Sequence, residues 1–339
     1  MNTGFSNIIT SISEFIRGEG GTFDELAQEL FAIQYERVHT YRRLCDLRGI
    51  TPKSFRTIPA VPTTGFRDLE ITSLLPVDRT TVFHSSGTTS NEPSRHYHNS
   101  ESLALYEESI THWFNQHLQP NQRMLALTPP PSQAPHSSLA YMLQSVQSQE
   151  PCFTGNAEKD VWIVDIDATL QSLRKNEAPI TLMGTAFSFV HLCDAIEPLK
   201  LPAGSCVMET GGYKGRSREL PKTQLHTLIT TNLGVPPENI VCEYGMCELS
   251  SQAYDTVASQ GGTRRFHFPH WVRTRIVSPE NGDEIPLGET GLLEVIDLAN
   301  ARSVLAVRTS DLAVRHEDGF ELLGRAPQAE PRGCSLTTA

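Results

Sequence analysis

The sequence predicts an α/β fold with a helical N-terminus and a β-rich C-terminal subdomain, and three observations predict it. Apolar residues recur at helical spacing through the first fifty positions. Short β-rich runs then alternate with helical windows, the texture of a largely parallel sheet covered by helices. After Gly261 the alternation gives way to short strands separated by turns. Composition agrees: the 339 residues are 38% apolar and 20% charged, an ordinary globular balance in a chain long enough to bury a large core. The net charge of −11 argues against binding duplex nucleic acid or anionic membrane surfaces. Phosphate ligands stay open, because a small anion needs only a local patch of donors.

Taken in order, Phe5, Ile8, Ile9, Ile12, Phe15 and Ile16 form the first helical stripe. Thr22-Phe-Asp-Glu25 resembles a capping box opening a second helix with Leu26, Leu30 and Ile33 on its apolar side. Pro52 and Pro59 end the helical region, and 78–99 reads as a loop-rich stretch of hydroxyls and Gly. A strand-like M-L-A-L follows from Met124, then Pro129-Pro-Pro131 and a helical segment over Ser137–Met142. The runs V-W-I-V at 161–164, P-I-T-L-M-G-T at 179–185 and S-C-V-M-E-T at 205–210 are the next expected strands, with Leu220–Leu233 a helix among them. Turns at 281–283, 287–291 and 317–319 punctuate the β-rich remainder. The organisation expected is one domain over 1–324, with a helical lead-in over 1–50, an α/β ligand-binding part over 78–260 and a β-rich part over 261–324, followed by a tail over 325–339.

The seven cysteines, at 45, 152, 193, 206, 242, 247 and 334, include no C-x-x-C pair, and the N-terminus has no secretory pattern. No apolar run approaches the roughly 18 residues of a membrane span. These features predict a reduced, cytoplasmic protein without structural disulfides. A zinc site on Cys242 and Cys247 lacks a second pair of ligands.

Four segments carry chemistry. Ser85-Ser86-Gly87-Thr88-Thr89-Ser90 is a flexible, donor-rich loop suited to wrapping polyphosphate, with Arg95 just beyond it, and no Walker A pattern occurs anywhere. Gly211-Gly212-Tyr213-Lys214 ends a strand-like run and lets a flat or charged ligand approach the backbone. In Tyr244-Gly245-Met246-Cys247-Glu248 an aromatic ring able to stack on a base precedes a carboxylate able to hold Mg²⁺. Asp311 and, later, Arg325 are suited to sugar hydroxyls and phosphate or sugar oxygens.

A Ser/Thr/Gly loop, then G-G, Y-G-x-x-E, S/T-x-D and G-R, in this order from Phe83 to Arg325, resembles the motif series of the adenylate-forming superfamily. T-T-G-F-R near residue 66, P-S-R after the loop, T-G-G-Y-K-G, E-Y-G-M-x-E-L-S-S-Q-x-Y and the terminal R-G-C-S-L resemble its acyl-protein synthetase (LuxE-like) branch. The fold so implied is the adenylate-forming N-terminal domain, with the usual mobile C-terminal domain reduced to the short tail carrying Cys334. The resemblance implies that Ser85, Ser86, Gly87, Thr88 and Thr89 hold the phosphates of ATP. It implies that Gly211, Gly212 and Tyr244 flank the adenine, with Gly245 in the same cofactor-binding segment. Glu248 would hold Mg²⁺, Asp311 and Arg325 would contact the ribose, and Lys214 and Arg95 would neutralise developing phosphate charge. Two positions depart from the superfamily pattern: Ser90 replaces a Gly, and Cys247 replaces a Thr.

The function so implied is ATP-dependent activation of a fatty or other carboxylic acid as acyl-adenylate, followed by transfer to Cys334 and delivery to an acyl reductase or carrier-protein partner. Cys334 differs from the other cysteines in lying on a polar tail beside Arg332 and Gly333, where reach and a nearby cation favour a nucleophilic thiolate. Three other readings stay open on sequence alone. One is a ligase that passes the acyl or aryl group to coenzyme A or a carrier-protein thiol. Another is an adenylation fold serving as a scaffold, and the third is a Cys-dependent hydrolase.

Overall fold

Thr22 caps the second helix as its spacing predicts. Its hydroxyl accepts the Glu25 amide at 3.3 Å, and the Glu25 carboxylate accepts the Thr22 amide at 3.1 Å. The computed structural model describes residues 3–54, 57–85, 92–147, 150–158, 161–175, 177–211 and 218–326. The lead-in is three helices: α1 (Thr3–Ile16), α2 (Phe23–Arg37) and α3 (His39–Leu47). The α1 stripe is buried at Phe5, Ile8, Ile9, Ile12 and Ile16, as the 3.6-residue period requires.

The chain next runs through β1 (Val61–Pro62), α4 (Thr63–Asp68), β2 (Thr81–His84), β3 (Arg95–His98) and α5 (Ser100–His117). Here the structure differs from the expected loop over 78–99, because β2 and β3 pair as an antiparallel hairpin around residues 85–94. Its strands are only four residues long, and β3, Arg-His-Tyr-His, lacks the aliphatic signature of a strand, although β2 carries Thr81, Val82 and Phe83.

β4 (Arg123–Ala126), β7 (Ile180–Thr185), β8 (Cys206–Thr210) and β9 (Ile240–Tyr244) form a parallel sheet, and β10 (Ala253–Tyr254) adds an antiparallel edge in the order β10-β9-β8-β7-β4. Helices α8 (Ala186–Ala195) and α9 (Lys222–Leu233) cover one face, packing Phe189, Leu225 and Ile229 on Leu182, Val207 and Ile240. On the other face α5 and α6 (Ser138–Ser145) pack Tyr106, Ile110, Phe114 and Leu143 on Met183, Met208 and Val241. Burial on both faces is why these strands read as continuous apolar runs. V-W-I-V is a correction: β6 (Val161–Val164) lies outside this sheet and pairs only with β5 (Gly155–Glu158), leading into α7 (Ile166–Arg174). Val161, Trp162 and Ile163 are exposed or partly exposed and only Val164 is buried, because a two-stranded ribbon covers itself poorly.

The second sheet contains β11 (Val272–Val277), β12 (Thr290–Asp297), β13 (Ala306–His316) and β14 (Gly319–Arg325), all antiparallel, with β1 joined parallel to β13. The lead-in helices cover it: Ile12, Leu30 and Phe31 share one core with Val295, Leu305 and Val307. No helix among the described residues is long and apolar enough to cross a membrane.

The turn between β12 and β13 joins the parts. Gln34 of α2 donates to the carbonyls of Asn300 at 2.8 Å and Ala301 at 3.0 Å, and accepts the Leu305 amide at 2.9 Å. Asp297 accepts the Ser250 amide at 2.9 Å, the Ser251 hydroxyl at 2.8 Å and the Ala299 amide at 2.9 Å. Trp271 Nε1 reaches the hydroxyls of Ser109 on α5 and Ser251 at 3.0 and 3.1 Å. A Gln34→Ala substitution leaves two carbonyls and one amide unpaired in the core. It should cost roughly 2–4 kcal/mol of unfolding free energy by urea titration, whereas a surface glutamine exchange costs little.

Candidate active site

Open parallel sheets bind ligands beyond the carboxyl ends of their strands. Here those ends are Thr128 just past β4, Thr185 of β7, Thr210 and Gly211 of β8, and Tyr244 and Gly245 of β9. Gly211 has φ +65° in open space, a backbone state that any side chain would strain. Gly245 has a different reason: a Cβ there would lie 2.4 Å from Glu243 Oε1.

The Tyr244 ring lies edge-on to Phe266, Phe268 and Phe320, which come from the segment after β10 and from β14. Its hydroxyl donates to Asp311 Oδ2 at 2.7 Å, crossing from the parallel sheet to β13 of the second sheet. Arg325, paired in register with Asp311 on β14, places Nε 3.7 Å from Asp311 Oδ1. Three residues singled out from separate motifs, Tyr244, Asp311 and Arg325, therefore form one cluster. Asp311 is partly buried, while the Arg325 side chain is 77% exposed.

Glu248 sits in a tight turn after Gly245, with its side chain almost wholly buried. The Cys247 thiol donates to Glu248 Oε2 at 3.2 Å. The turn's main chain is held by His96 of β3, whose Nδ1 meets the Cys247 carbonyl at 2.8 Å, and by Asn300, whose amide donates to the Glu248 carbonyl at 2.9 Å. Because that carbonyl only accepts, His96 carries its proton on Nδ1. Burial pushes the imidazole down to about 4, so it is neutral near pH 7. Since β3 leaves the hydroxyl-rich connection 85–94, this bond ties that connection to the Glu248 turn.

Ser85 extends the hairpin by one pair: its amide donates to the Ser94 carbonyl at 3.1 Å and its hydroxyl accepts the Ser94 amide at 2.9 Å. Arg95 turns toward α4, donating to the Arg67 carbonyl at 3.2 Å. Ser86, Gly87, Thr88, Thr89, Ser90, Gly212, Lys214 and Cys334 lie outside the described residues. Cys45, Cys193, Cys206, Cys242 and Cys247 are buried free thiols. No group of three or more metal-ligating side chains occurs among the described residues.

A pair of buried carboxylates escaped sequence reasoning. Along β9 the period of two places Glu243 on the side of buried Val241, which was the available signal. Glu243 accepts the Thr210 hydroxyl across the β8–β9 pair. Burial pushes it up to about 7, against the Thr210 bond and with help from the negative charge of Glu209. Burial also opposes ionisation of Glu209, on the opposite face. There the His226 hydrogen bond at 3.2 Å, the Lys222 charge and a bond with Cys242 outweigh it and keep Glu209 below its ordinary range. Glu209 thus favours its ionised form, while Glu243 keeps its proton to higher pH than an ordinary carboxyl.

The fold is that of adenylate-forming ligases. 2-Hydroxyisobutyryl-CoA ligase in its open conformation, in complex with 2-HIB-AMP and CoA, superposes with a TM-score of 0.65 at 15% identity, over 88% of this chain and 73% of that one. ATP-bound MatB from Rhodopseudomonas palustris superposes with a TM-score of 0.54 at 17% identity, over 82% of this chain, which spans about half (51%) of its length. The acyl-protein synthetase LuxE family model matches residues 22–339, and the chain belongs to that family. The long-chain-fatty-acid–luciferin-component ligase of Aliivibrio fischeri is 22% identical over 343 residues, covering 93% of this chain and 87% of the relative. This is a family of ligases, and the protein is an enzyme of that kind.

The Glu243 environment has a measurable sign. A carboxyl raised from 4.5 to about 7 binds its proton more tightly when folded, so its contribution to stability is lost as pH rises from about 5 through 7. Glu243→Gln removes that loss. Relative to the parent, its unfolding free energy should rise by up to about 3 kcal/mol between pH 5 and pH 8. Parallel urea curves at both pH values check this, and an unchanged difference would refute the raised carboxyl.

Proposed function

We propose that the protein activates a long-chain fatty acid with ATP and then carries the acyl group on its own Cys334. The observation that carries the reading is the convergence of Tyr244, Asp311 and Arg325 from the ends of two sheets, in a chain whose family is acyl-protein synthetase. A free carboxylate resists nucleophiles because of its charge. Its oxygen attacks the α-phosphorus of ATP, pyrophosphate leaves, and the acyl-adenylate formed has AMP as its leaving group. The thiolate of Cys334 then attacks the acyl carbon, and the C–O bond to phosphate breaks as AMP departs with the electron pair. The resulting thioester is suited to delivery to a partner acyl reductase. Support for ATP as co-substrate comes from the ATP-bound state of MatB and from the family.

The residues present fit these groups. The Tyr244 ring offers a face to a purine, and Asp311 keeps acceptor capacity for ribose hydroxyls beside the exposed Arg325 guanidinium. The donor-rich segment from Ser85 to Thr89 suits the phosphates, with Lys214 and Arg95 as nearby cations. Gly211, Gly212 and Gly245 keep side chains out of the base's path. Glu248 fits Mg²⁺, which is commonly held by one or two carboxylates together with substrate phosphates and water. When bound, the ion neutralises phosphate charge. The chain's own task is alignment: holding the two anionic reactants in line so that the attack is intramolecular in effect.

Carboxylate-dependent ATP–pyrophosphate exchange tests the first step. Activity with long-chain acids is expected, with Asp311→Ala raising KM for ATP about tenfold and Glu248→Gln lowering the rate by roughly 10²-fold. No exchange with any acid would leave the fold a scaffold.

The second step is read by mass spectrometry after incubation with ATP, Mg²⁺ and fatty acid. The acyl group should map to the peptide holding Cys334 and be released by neutral hydroxylamine. Cys334→Ser should retain exchange and lose the labile acyl group. Normal acylation of that variant would move the acceptor to coenzyme A or a carrier-protein thiol.

A further inference from the structure

We infer that Cys247 is a positioning residue, whose thiol fixes the Glu248 carboxylate so that a divalent cation is met through the remaining oxygen. The inference rests on the metal role proposed for Glu248 and goes beyond it, by assigning work to the neighbouring side chain. At 3.2 Å the carboxylate Oε2 takes the thiol hydrogen, so Cys247 aims at its neighbour's side chain. The main chain on either side is already tied down. The Cys247 carbonyl is held by His96 Nδ1 at 2.8 Å, and the Glu248 carbonyl by Asn300 Nδ2 at 2.9 Å. His96 and Asn300 are each 1% exposed, and Cys247 and Glu248 each 5%, so these bonds are shielded from competing water. With the backbone held from β3 on one side and from the β12–β13 turn on the other, what remains free is rotation about the Glu248 side-chain bonds. The thiol removes that freedom. It also occupies one carboxylate oxygen, which disfavours two-oxygen chelation and favours the one-oxygen contact suited to the octahedral geometry of Mg²⁺.

The test uses the full chain with Mn²⁺ as a spectroscopic probe, in the presence of an ATP analogue carrying a methylene group between the α- and β-phosphorus. Free Mn²⁺ is counted by electron paramagnetic resonance, and half-saturating Mg²⁺ in pyrophosphate exchange is measured alongside. Cys247→Ala should weaken Mn²⁺ binding about 5- to 10-fold, the loss of one hydrogen bond from a weak thiol donor. Cys247→Val, which fills the volume without a donor, should behave as Ala. Cys247→Ser, which keeps a donor, should stay within twofold of the parent. A purely packing role would instead put Val near the parent and Ser with Ala, and that pattern overturns the inference, as does parental affinity in both donor-less variants. Glu248→Gln separates the two layers. If it leaves Mn²⁺ affinity unchanged, the metal role of Glu248 fails; if it weakens binding while the donor-less variants do not, the positioning inference alone fails.

Discussion

The turn between β12 and β13 is the joint on which the remaining architecture depends. Its backbone carbonyls and amides are turned inward, where unpaired they would each cost free energy comparable to a lost hydrogen bond. Gln34 satisfies three of them from the helical lead-in. Asp297 and Asn300 in turn hold the segment from Glu248 to Ser251 that follows the parallel sheet. Two sheets and a helical layer thus meet at a polar knot inside an apolar core, and polar bonds require particular geometry where apolar packing tolerates slippage. The Glu248 turn is placed by this knot, because the Asn300 amide grips the Glu248 carbonyl directly.

Electrostatics at the strand ends follow from the same closeness. Glu209 and Glu243 are consecutive partners' neighbours across the β8–β9 pair, yet they face opposite ways and meet different company. His226 and Lys222 attend the first, while burial and the negative charge of Glu209 raise the second against the Thr210 hydrogen bond. Environment alone separates two chemically identical groups, one staying charged and one holding a proton into the neutral range.

Much of this was legible from residues. The capping box at Thr22 and Glu25 needs only four positions to be recognised, and β4, β7 and β8 of the parallel sheet announce themselves as apolar runs, whereas β9, with its buried Glu243, did not. Tyr244, Asp311 and Arg325 were found through motif order and prove to be neighbours in space. What stayed hidden was either non-local or atypical. The Gln34 bonds join residues 266 to 271 positions apart, and no periodicity encodes such a partner. The β2–β3 hairpin has strands of only four residues, one of them Arg-His-Tyr-His, so the short Thr-Val-Phe run of β2 had no recognisable partner. V-W-I-V has the composition of a central strand but pairs in an outlying ribbon, since composition reports β-propensity and says nothing of which strand lies alongside. The thiol of Cys247 could be read as a substitute for a hydroxyl, but its aim at Glu248 needed coordinates.

The span of those Gln34 bonds also has a bearing on biosynthesis. A ribosome adds about 5–20 residues per second, so the partners of Gln34 emerge roughly 13 to 54 seconds after Gln34 itself. During that interval the apolar faces of α1, α2 and α3 have no sheet to cover, because β11 through β14 are the last strands to be made. Until those strands are made, the nascent chain carries an uncovered hydrophobic layer, the kind of surface that is prone to aggregate.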